Sequence, residues 1–104
     1  MSGRIGLMAV VLSGLLSVSA QAETIQVTID KLVFAPAEVN AKVGDTIEWV
    51  NKDALVHTAT ATNNDWNANI PGNQSGKVVL KKAGAVDYFC KFHPNMKGRI
   101  TVAP

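Results

Sequence analysis

Three side chains that bind transition metals follow one another at even spacing near the C-terminal end of the sequence. They are the thiol of Cys90, the imidazole of His93 and the thioether of Met96, in a Cys-x-x-His-x-x-Met pattern; the other histidine is His57. Two imidazoles, one thiolate and a weakly bound thioether are the donor set of mononuclear copper sites that transfer electrons. Zinc sites combine cysteine and histidine without methionine. The sequence therefore predicts one copper ion held by these four residues.

Each of these residues also has an ordinary structural interpretation. A cysteine at the end of a strand is commonly a small buried hydrophobe, Met96 would fill a core, and His57 would be a polar residue at a strand start. These interpretations leave unexplained why the single cysteine of the chain lies in this pattern. An unpaired thiol in an oxidising compartment needs to be either buried or bound. Taken together, the four residues favour a metal site.

The N-terminal segment has the features of a secretory signal peptide. Arg4 precedes an apolar run from Ile5 to Leu16, and Ala20-Gln21-Ala22 is a small-residue cleavage site. A membrane anchor is the alternative, but a spanning helix takes about 20 apolar residues. We expect residues 1–22 to be removed on export to the periplasm, which leaves a domain of residues 23–104 that does not span the membrane.

The mature chain is short and nearly neutral. It has 82 residues, with nine basic and eight acidic side chains and thus a net charge of +1. That charge does not favour nucleic-acid binding, which depends on neutralising phosphates. A domain of this size buries a limited core, and small domains are often reinforced by a metal. We expect a single domain, and a monomer.

The periodicity of the mature chain predicts strands and no helix. Alternating or β-branched runs bounded by turn residues are typical of strands, and the segment 63–76, which contains five asparagines, is expected to be a long surface loop. The expected strands are Thr24–Asp30, a short segment ending at Ala35, Glu38–Val43, Thr46–Asn51, His57–Thr62, Lys77–Lys82, Ala85–Cys90 and Lys97–Val102. Short strands separated by turns indicate an antiparallel or mixed β-sandwich.

Three parts of the chain resemble the cupredoxin family. They are Tyr88 to Gly98, the upstream Gly44 to Asn51, and His57, and the short spacing from His93 to Met96 resembles the amicyanin-like members. The resemblance implies an all-β, cupredoxin-like Greek-key β-sandwich of about seven to eight strands. It also implies one type 1 copper with three strong ligands and one axial ligand, in the order His57, Cys90, His93 and Met96.

Two positions depart from the amicyanin-like pattern. Phe92 stands where a proline is usual, and its backbone N–H, which proline lacks, is a candidate hydrogen-bond donor to the Cys90 sulfur. We interpret that bond as one that would raise the reduction potential. Thr58 stands where an asparagine is frequent. It is either an ordinary strand threonine or a residue that hydrogen-bonds to the ligand loop and holds it rigid.

These features predict an exported protein that carries single electrons between periplasmic redox partners, a c-type cytochrome or a dehydrogenase. A copper-binding or copper-delivery protein is the alternative. Enzyme chemistry would need an open coordination position or a second metal centre, and no further histidine is present to build one. Two sets of residues near the site are candidates for partner contacts, although core or solvated positions would explain them too. The apolar set is Pro94, Leu55, Val56, Ile70 and Pro71. The basic set is Lys52, Lys91 and Lys97.

Overall fold

Nine strands in two sheets make up the regular structure of the described part of the chain, residues 21–104 of a computed structural model. In chain order they are β1 (Thr24–Asp30), β2 (Val33–Ala35), β3 (Glu38–Lys42), β4 (Thr46–Asn51), β5 (His57–Ala61), β6 (Asn67–Ile70), β7 (Ser75–Val79), β8 (Gly84–Phe89) and β9 (Lys97–Ala103). One sheet has the order β2-β1-β4-β7 and the other β3-β9-β8-β5-β6. The prediction of an all-β sandwich is confirmed, with nine strands instead of seven or eight.

The predicted signal peptide lies outside the described residues except for its last two positions, Gln21 and Ala22, which are exposed and in no regular element. Its cleavage therefore stays a prediction. Within residues 21–104, the structure contains no helix with the length and apolar character needed to cross a bilayer.

Alternation of side chains builds the core between the two sheets. Along β9, every second residue points inward, and β4 repeats this pattern across its six residues. Such two-residue periodicity places one face of each strand in the core and the other in solvent. The inward residues of these two strands are Gly98, Ile100 and Val102 on β9, and Ile47, Trp49 and Asn51 on β4.

The expected long loop over residues 63–76 is wrong, because it contains β6 and the start of β7. β6 pairs with β5 in an antiparallel hairpin, with His57 opposite Ile70 and Thr60 opposite Asn67. Asparagine is unfavourable in strands. The asparagines of β6 therefore hide, in the sequence, the alternation that buries Ala68 and Ile70. Pairing with β5 and burial of these two side chains outweigh the local preference.

Tyr88 occupies the centre of an aromatic cluster in the core. Its ring centroid lies 4.8 Å from that of Phe34, 5.5 Å from Trp49 and 5.7 Å from Trp66. Its hydroxyl accepts a hydrogen bond from Trp49 Nε1 at 3.2 Å, and burial raises its pKa to about 12. Gly98 lies opposite Tyr88 in the sheet, and a side chain there would collide with the tyrosine ring. Tyr88 thereby holds β8, the strand that ends directly before Cys90, against the core.

Asp45 ties three strands together at the turn before β4. Its carboxylate is buried and accepts the backbone N–H of Glu23 at 2.9 Å, the N–H of Lys42 at 2.9 Å and Lys42 Nζ at 3.1 Å. Its carbonyl accepts the N–H of Leu80. Because the Glu23 and Lys42 amides and the Lys42 ammonium all stabilise the charged form, they outweigh burial and hold the pKa of Asp45 below its ordinary value.

This lowered pKa predicts acid sensitivity of the fold. A carboxyl whose pKa is lower in the folded state stabilises the protein above its unfolded pKa, about 3.9, and loses that contribution as the pH falls through the folded pKa. We expect the free energy of unfolding, measured with urea from pH 7 to pH 3, to fall below about pH 4. The fall should be shallower in Asp45→Asn. Glu38→Gln, an exposed strand position, is the control; an equal fall in Asp45→Asn and wild type would contradict the prediction.

Candidate metal centre

Two of the predicted ligands, His57 and Cys90, lie at the ends of neighbouring strands of the five-stranded sheet. His57 is the first residue of β5, and Cys90 follows directly after the last residue of β8, the strand beside it. The segment between β8 and β9, residues 90–96, holds the other two predicted ligands. We call it the ligand loop.

Backbone hydrogen bonds close the ligand loop at intervals of three residues. The N–H of His93 donates to the carbonyl of Cys90 at 3.3 Å, and the N–H of Met96 donates to the carbonyl of His93 at 2.8 Å. The N–H of Cys90 donates to the carbonyl of Met96 at 3.1 Å. The even spacing seen in the sequence therefore corresponds to two consecutive turns, which bring the ends of the loop together.

The structure brings the ligand atoms of His57, Cys90 and His93 to one point. The Cys90 sulfur lies 3.7 Å from His57 Nδ1 and 3.9 Å from His93 Nδ1, and all three atoms are within 4.8 Å of one another. Nitrogen and thiolate ligands lie about 2.0–2.3 Å from an ion such as zinc, so two on one ion are at most about 4.4 Å apart. Both sulfur–nitrogen distances satisfy that limit. The thiol of Cys90 is therefore close enough to each imidazole for one ion to contact both.

Burial differs among the four predicted ligands. His57 and Cys90 are fully buried and Met96 is 3% exposed, whereas His93 is partly exposed. Met96 lies at the end of the ligand loop, joined to the other two loop residues by the backbone bonds above. Its role as axial ligand remains a prediction.

Thr58 joins the strand of His57 to the ligand loop. Its backbone N–H donates to the Cys90 sulfur at 3.4 Å, and its hydroxyl oxygen accepts the N–H of Lys91 at 2.8 Å. The hydroxyl also lies 2.9 Å from that of Thr60, which in turn donates to the side chain of Asn67. Of the two interpretations of Thr58, the structure supports the hydrogen bond to the loop.

The expected donor to the sulfur was wrong. Among the described residues, the backbone N–H that reaches the Cys90 sulfur belongs to Thr58, and Phe92 makes no such bond. Phe92 instead directs its ring outward, with 55% of the residue exposed. The sequence suggested Phe92 because it replaces a proline, but a strand facing the sulfur from the other side provides the donor.

Two polar residues, one at the end of β4 and one in the β4–β5 connection, were not singled out from the sequence. The buried Asn51 side chain donates to the carbonyls of Leu55, Ile70 and Pro71, and its oxygen accepts the N–H of Asp53. Asp53 Oδ2 lies 2.8 Å from Nε2 of His57, whereas the other ring nitrogen, Nδ1, is the one near the Cys90 sulfur. The Asn-x-Asp spacing at the end of a strand was an available signal, because such residues hydrogen-bond to nearby backbone.

Asp53 is ionised at neutral pH. Burial alone would raise its pKa, but hydrogen bonds from the Leu32 amide, the His57 ring and the Lys31 amide outweigh burial and hold the pKa below its ordinary value. His57 therefore has a carboxylate, not a backbone carbonyl, as the partner of its outer nitrogen.

The apolar residues predicted to contact a partner differ in exposure. Of the predicted apolar set, Leu55 and Val56 are 56% and 39% exposed, and Pro94 is exposed. Pro71 is half-buried, and the inclusion of Ile70 was wrong because its side chain is fully buried in the core. Phe92 adds an aromatic ring to the exposed group. The three predicted lysines, Lys52, Lys91 and Lys97, are all exposed.

Comparison with known proteins agrees with this geometry. A family model described as a cupredoxin-like domain matches residues 4–102. The chain belongs to the cupredoxin-like domain family. The amicyanin-alpha of Methylorubrum extorquens is 34% identical over 89 residues, which are 80% of this chain and 75% of that protein. The predicted cupredoxin-like fold is confirmed.

Solved structures of amicyanin share the fold of this cupredoxin. The crystal structure of amicyanin from Paracoccus versutus is similar with a TM-score of 0.67 and 32% identity, covering 82% of this chain and 84% of that one. A Cu(I) form of an amicyanin variant has a TM-score of 0.66 and 30% identity, covering 82% and 85%. The chain spans 66% and 64% of the lengths of the amicyanins from Paracoccus versutus and Paracoccus denitrificans.

The bond from Lys91 to Thr58 predicts a defined loss of stability. Thr58→Val removes the hydroxyl that accepts the Lys91 N–H and leaves a partly buried donor without a partner, which costs about 1–3 kcal/mol. We expect the free energy of unfolding of the metal-free protein to fall by that amount in urea titrations. Thr58→Ser, which keeps the hydroxyl, is the matched control. Equal stability of the valine and serine variants would show that the bond contributes nothing.

Proposed function

We propose that this cupredoxin is an exported type 1 copper protein that carries single electrons between periplasmic redox proteins. Convergence of the thiol of Cys90 with Nδ1 of His57 and Nδ1 of His93 is the observation that carries the proposal. These three atoms would supply the strong donors of a mononuclear copper site, and the thioether of Met96 would supply a weak one. The similarity to a Cu(I) form of amicyanin supports the same metal. Copper held there would supply one-electron chemistry by alternating between Cu(II) and Cu(I).

The chain's own contribution is to resist rearrangement of the ligands. The two oxidation states of copper prefer different geometries, so side chains that moved with each electron would slow the transfer. The ligand loop is held by its backbone bonds and by Thr58, and His57 is held by β5 and by Asp53. These contacts keep the donor atoms in one arrangement for both states.

Partly exposed His93 is the route by which electrons reach the site. Its ring is in contact with solvent, whereas the sulfur of Cys90 and the ring of His57 are fully buried. Exposed Phe92, Leu55, Val56 and Pro94 provide apolar area for a partner around that route. The lysines Lys52, Lys91 and Lys97 favour a partner with an acidic surface, since complementary charge speeds association. A c-type cytochrome or a dehydrogenase is the class we propose.

Copper delivery fits the structure less well than electron transfer. Handing an ion to another protein requires its ligands to be exchanged one at a time. Two of the strong ligands are fully buried and Met96 is 3% exposed, so a recipient protein can approach only His93. The same burial leaves little room for a substrate, and we propose an electron carrier and not an enzyme.

Copper titration of the mature protein tests the site directly. We expect Cu(II) to produce an intense blue thiolate-to-copper absorption band in wild type, because the Cys90 sulfur is placed to bind the ion. Cys90→Ser should abolish the band, while Met96→Leu should keep it and shift the reduction potential. A wild-type protein that binds no Cu(II), or one whose band survives in Cys90→Ser, would refute the assignment. Far-UV circular dichroism confirms that each variant is folded.

Stopped-flow kinetics distinguishes electron transfer from copper delivery. A copper-loaded electron carrier should be oxidised and reduced by c-type cytochromes with its copper retained, and its rate should fall as salt rises, because the lysines steer association. Transfer of the ion itself to an apo copper protein, at a rate faster than electron transfer, would favour delivery.

A further inference from the structure

Two buried threonines on β5, Thr58 and Thr60, carry hydroxyl groups whose protons need acceptors. The two residues are 3% and 7% exposed, and they lie on the same face of the strand because side chains alternate along it. A buried hydroxyl without a hydrogen-bond partner destabilises the folded state. Valine has the same shape, favours strands and carries no such group. The two hydroxyl oxygens lie 2.9 Å apart, so the threonines form one polar pair within the sheet.

Asn67 on β6 provides an acceptor at one end of this pair. It lies directly opposite Thr60 in the antiparallel pairing of β5 with β6, and its side-chain oxygen accepts the hydroxyl proton of Thr60. Asparagine is unfavourable in strands, and β6 nevertheless has one at this exposed position. The bond to Thr60 gives Asn67 a role that the pairing of the strands does not require.

The number of protons fixes the direction of these hydrogen bonds. A hydroxyl has one proton to donate and two lone pairs that accept. Because Thr60 donates its proton to Asn67, its oxygen accepts the proton of Thr58. The oxygen of Thr58 in turn accepts the N–H of Lys91 at 2.8 Å. We call this series of bonds, from the Lys91 amide through the two threonines to Asn67, the threonine relay.

We propose that Asn67 and Thr60 are positioning residues for the ligand loop, which act through Thr58 by orienting its hydroxyl to accept the Lys91 N–H. Hydrogen bonds in a chain polarise one another, so an acceptor at the far end strengthens the bond at the loop. Lys91 follows Cys90 in the chain, and the relay therefore holds the peptide unit next to the thiol. Its effect on electron transfer rests on the proposed copper function, whereas the relay itself needs no metal.

Hydrogen exchange in the metal-free protein is the first test. Asn67→Ala removes the last acceptor of the relay, and we expect the Lys91 amide, followed by NMR, to exchange about two- to tenfold faster, the effect of losing one hydrogen bond. Asn67→Asp keeps oxygens that accept the Thr60 proton and should preserve the slow exchange. Asn69→Ala is the matched control, because Asn69 is exposed on the same strand and lies opposite Thr58 instead of Thr60.

The pattern of exchange distinguishes positioning of the loop from a general loss of stability. The proposal requires faster exchange at Lys91 than at the paired amides of β8 and β9 in Asn67→Ala. Equal acceleration at all of these amides would overturn it, because the variant would then only destabilise the fold. Equal exchange of Lys91 in Asn67→Ala and Asn69→Ala would also overturn it. If Asn67→Asp exchanged as fast as Asn67→Ala, Asn67 would not act as an acceptor and the relay would be wrong.

The copper-loaded protein provides the second test. Thr60→Val keeps the shape of the side chain and removes the hydroxyl, whereas Thr60→Ser keeps the hydroxyl. A ligand loop that is held less firmly rearranges more at each transfer. We therefore expect the electron self-exchange rate, measured by NMR line broadening, to fall about threefold in the valine variant, which corresponds to about 0.7 kcal/mol of activation free energy. The serine variant should retain the wild-type rate, and equal rates in the two variants would overturn the role of Thr60 in electron transfer.

The two tests also separate this proposal from the proposed function. If wild type shows no blue band with Cu(II), the copper function fails, and hydrogen exchange still decides whether Asn67 positions the ligand loop. If the band forms and Lys91 exchanges equally in Asn67→Ala and Asn69→Ala, the copper function stands and the threonine relay is wrong.

Discussion

The hydrogen bonds of Thr58 are the constraint on which the metal centre depends. The two sources of ligands, β5 and the ligand loop, are separated by more than thirty residues in sequence and meet only across the sheet. The backbone N–H of Thr58 contacts the sulfur of Cys90, and its hydroxyl contacts the next amide of the loop. Thr58, the neighbour of His57 in the chain, thus bonds to the first two residues of the ligand loop. These bonds add to the pairing of β5 with β8, which places the two strands side by side.

The site has one open side and is enclosed elsewhere. His57 and Cys90 are fully buried, and Asp53 in the β4–β5 connection contacts the outer nitrogen of His57. Of the three grouped residues His57, Cys90 and His93, only His93 is partly exposed. Such an arrangement separates two requirements: the buried residues maintain the geometry, and the exposed one provides access.

Sequence reasoning identified the grouped residues His57, Cys90 and His93 and predicted most strands, because these signals are local. Cys90, His93 and Met96 follow one another at fixed spacing, and β1, β4 and β9 alternate clearly. It failed where partners distant in sequence decide the structure. β6 forms because β5 lies beside it, despite its asparagines. Likewise, the donor to the Cys90 sulfur and the carboxylate behind His57 were not predicted, because each reaches the site from a different part of the fold.

The pairing of β8 with β9 defines where the ligand loop begins and ends. The last pair of residues across these strands is Phe89 and Lys97, and the ligand loop joins these two positions. His57 comes from a different strand and Tyr88 packs on Gly98 inside the sandwich. A change in the length of the segment between these two residues would therefore move the side chains of Cys90, His93 and Met96 relative to His57, while the pairing of β8 with β9 ends at the same residues.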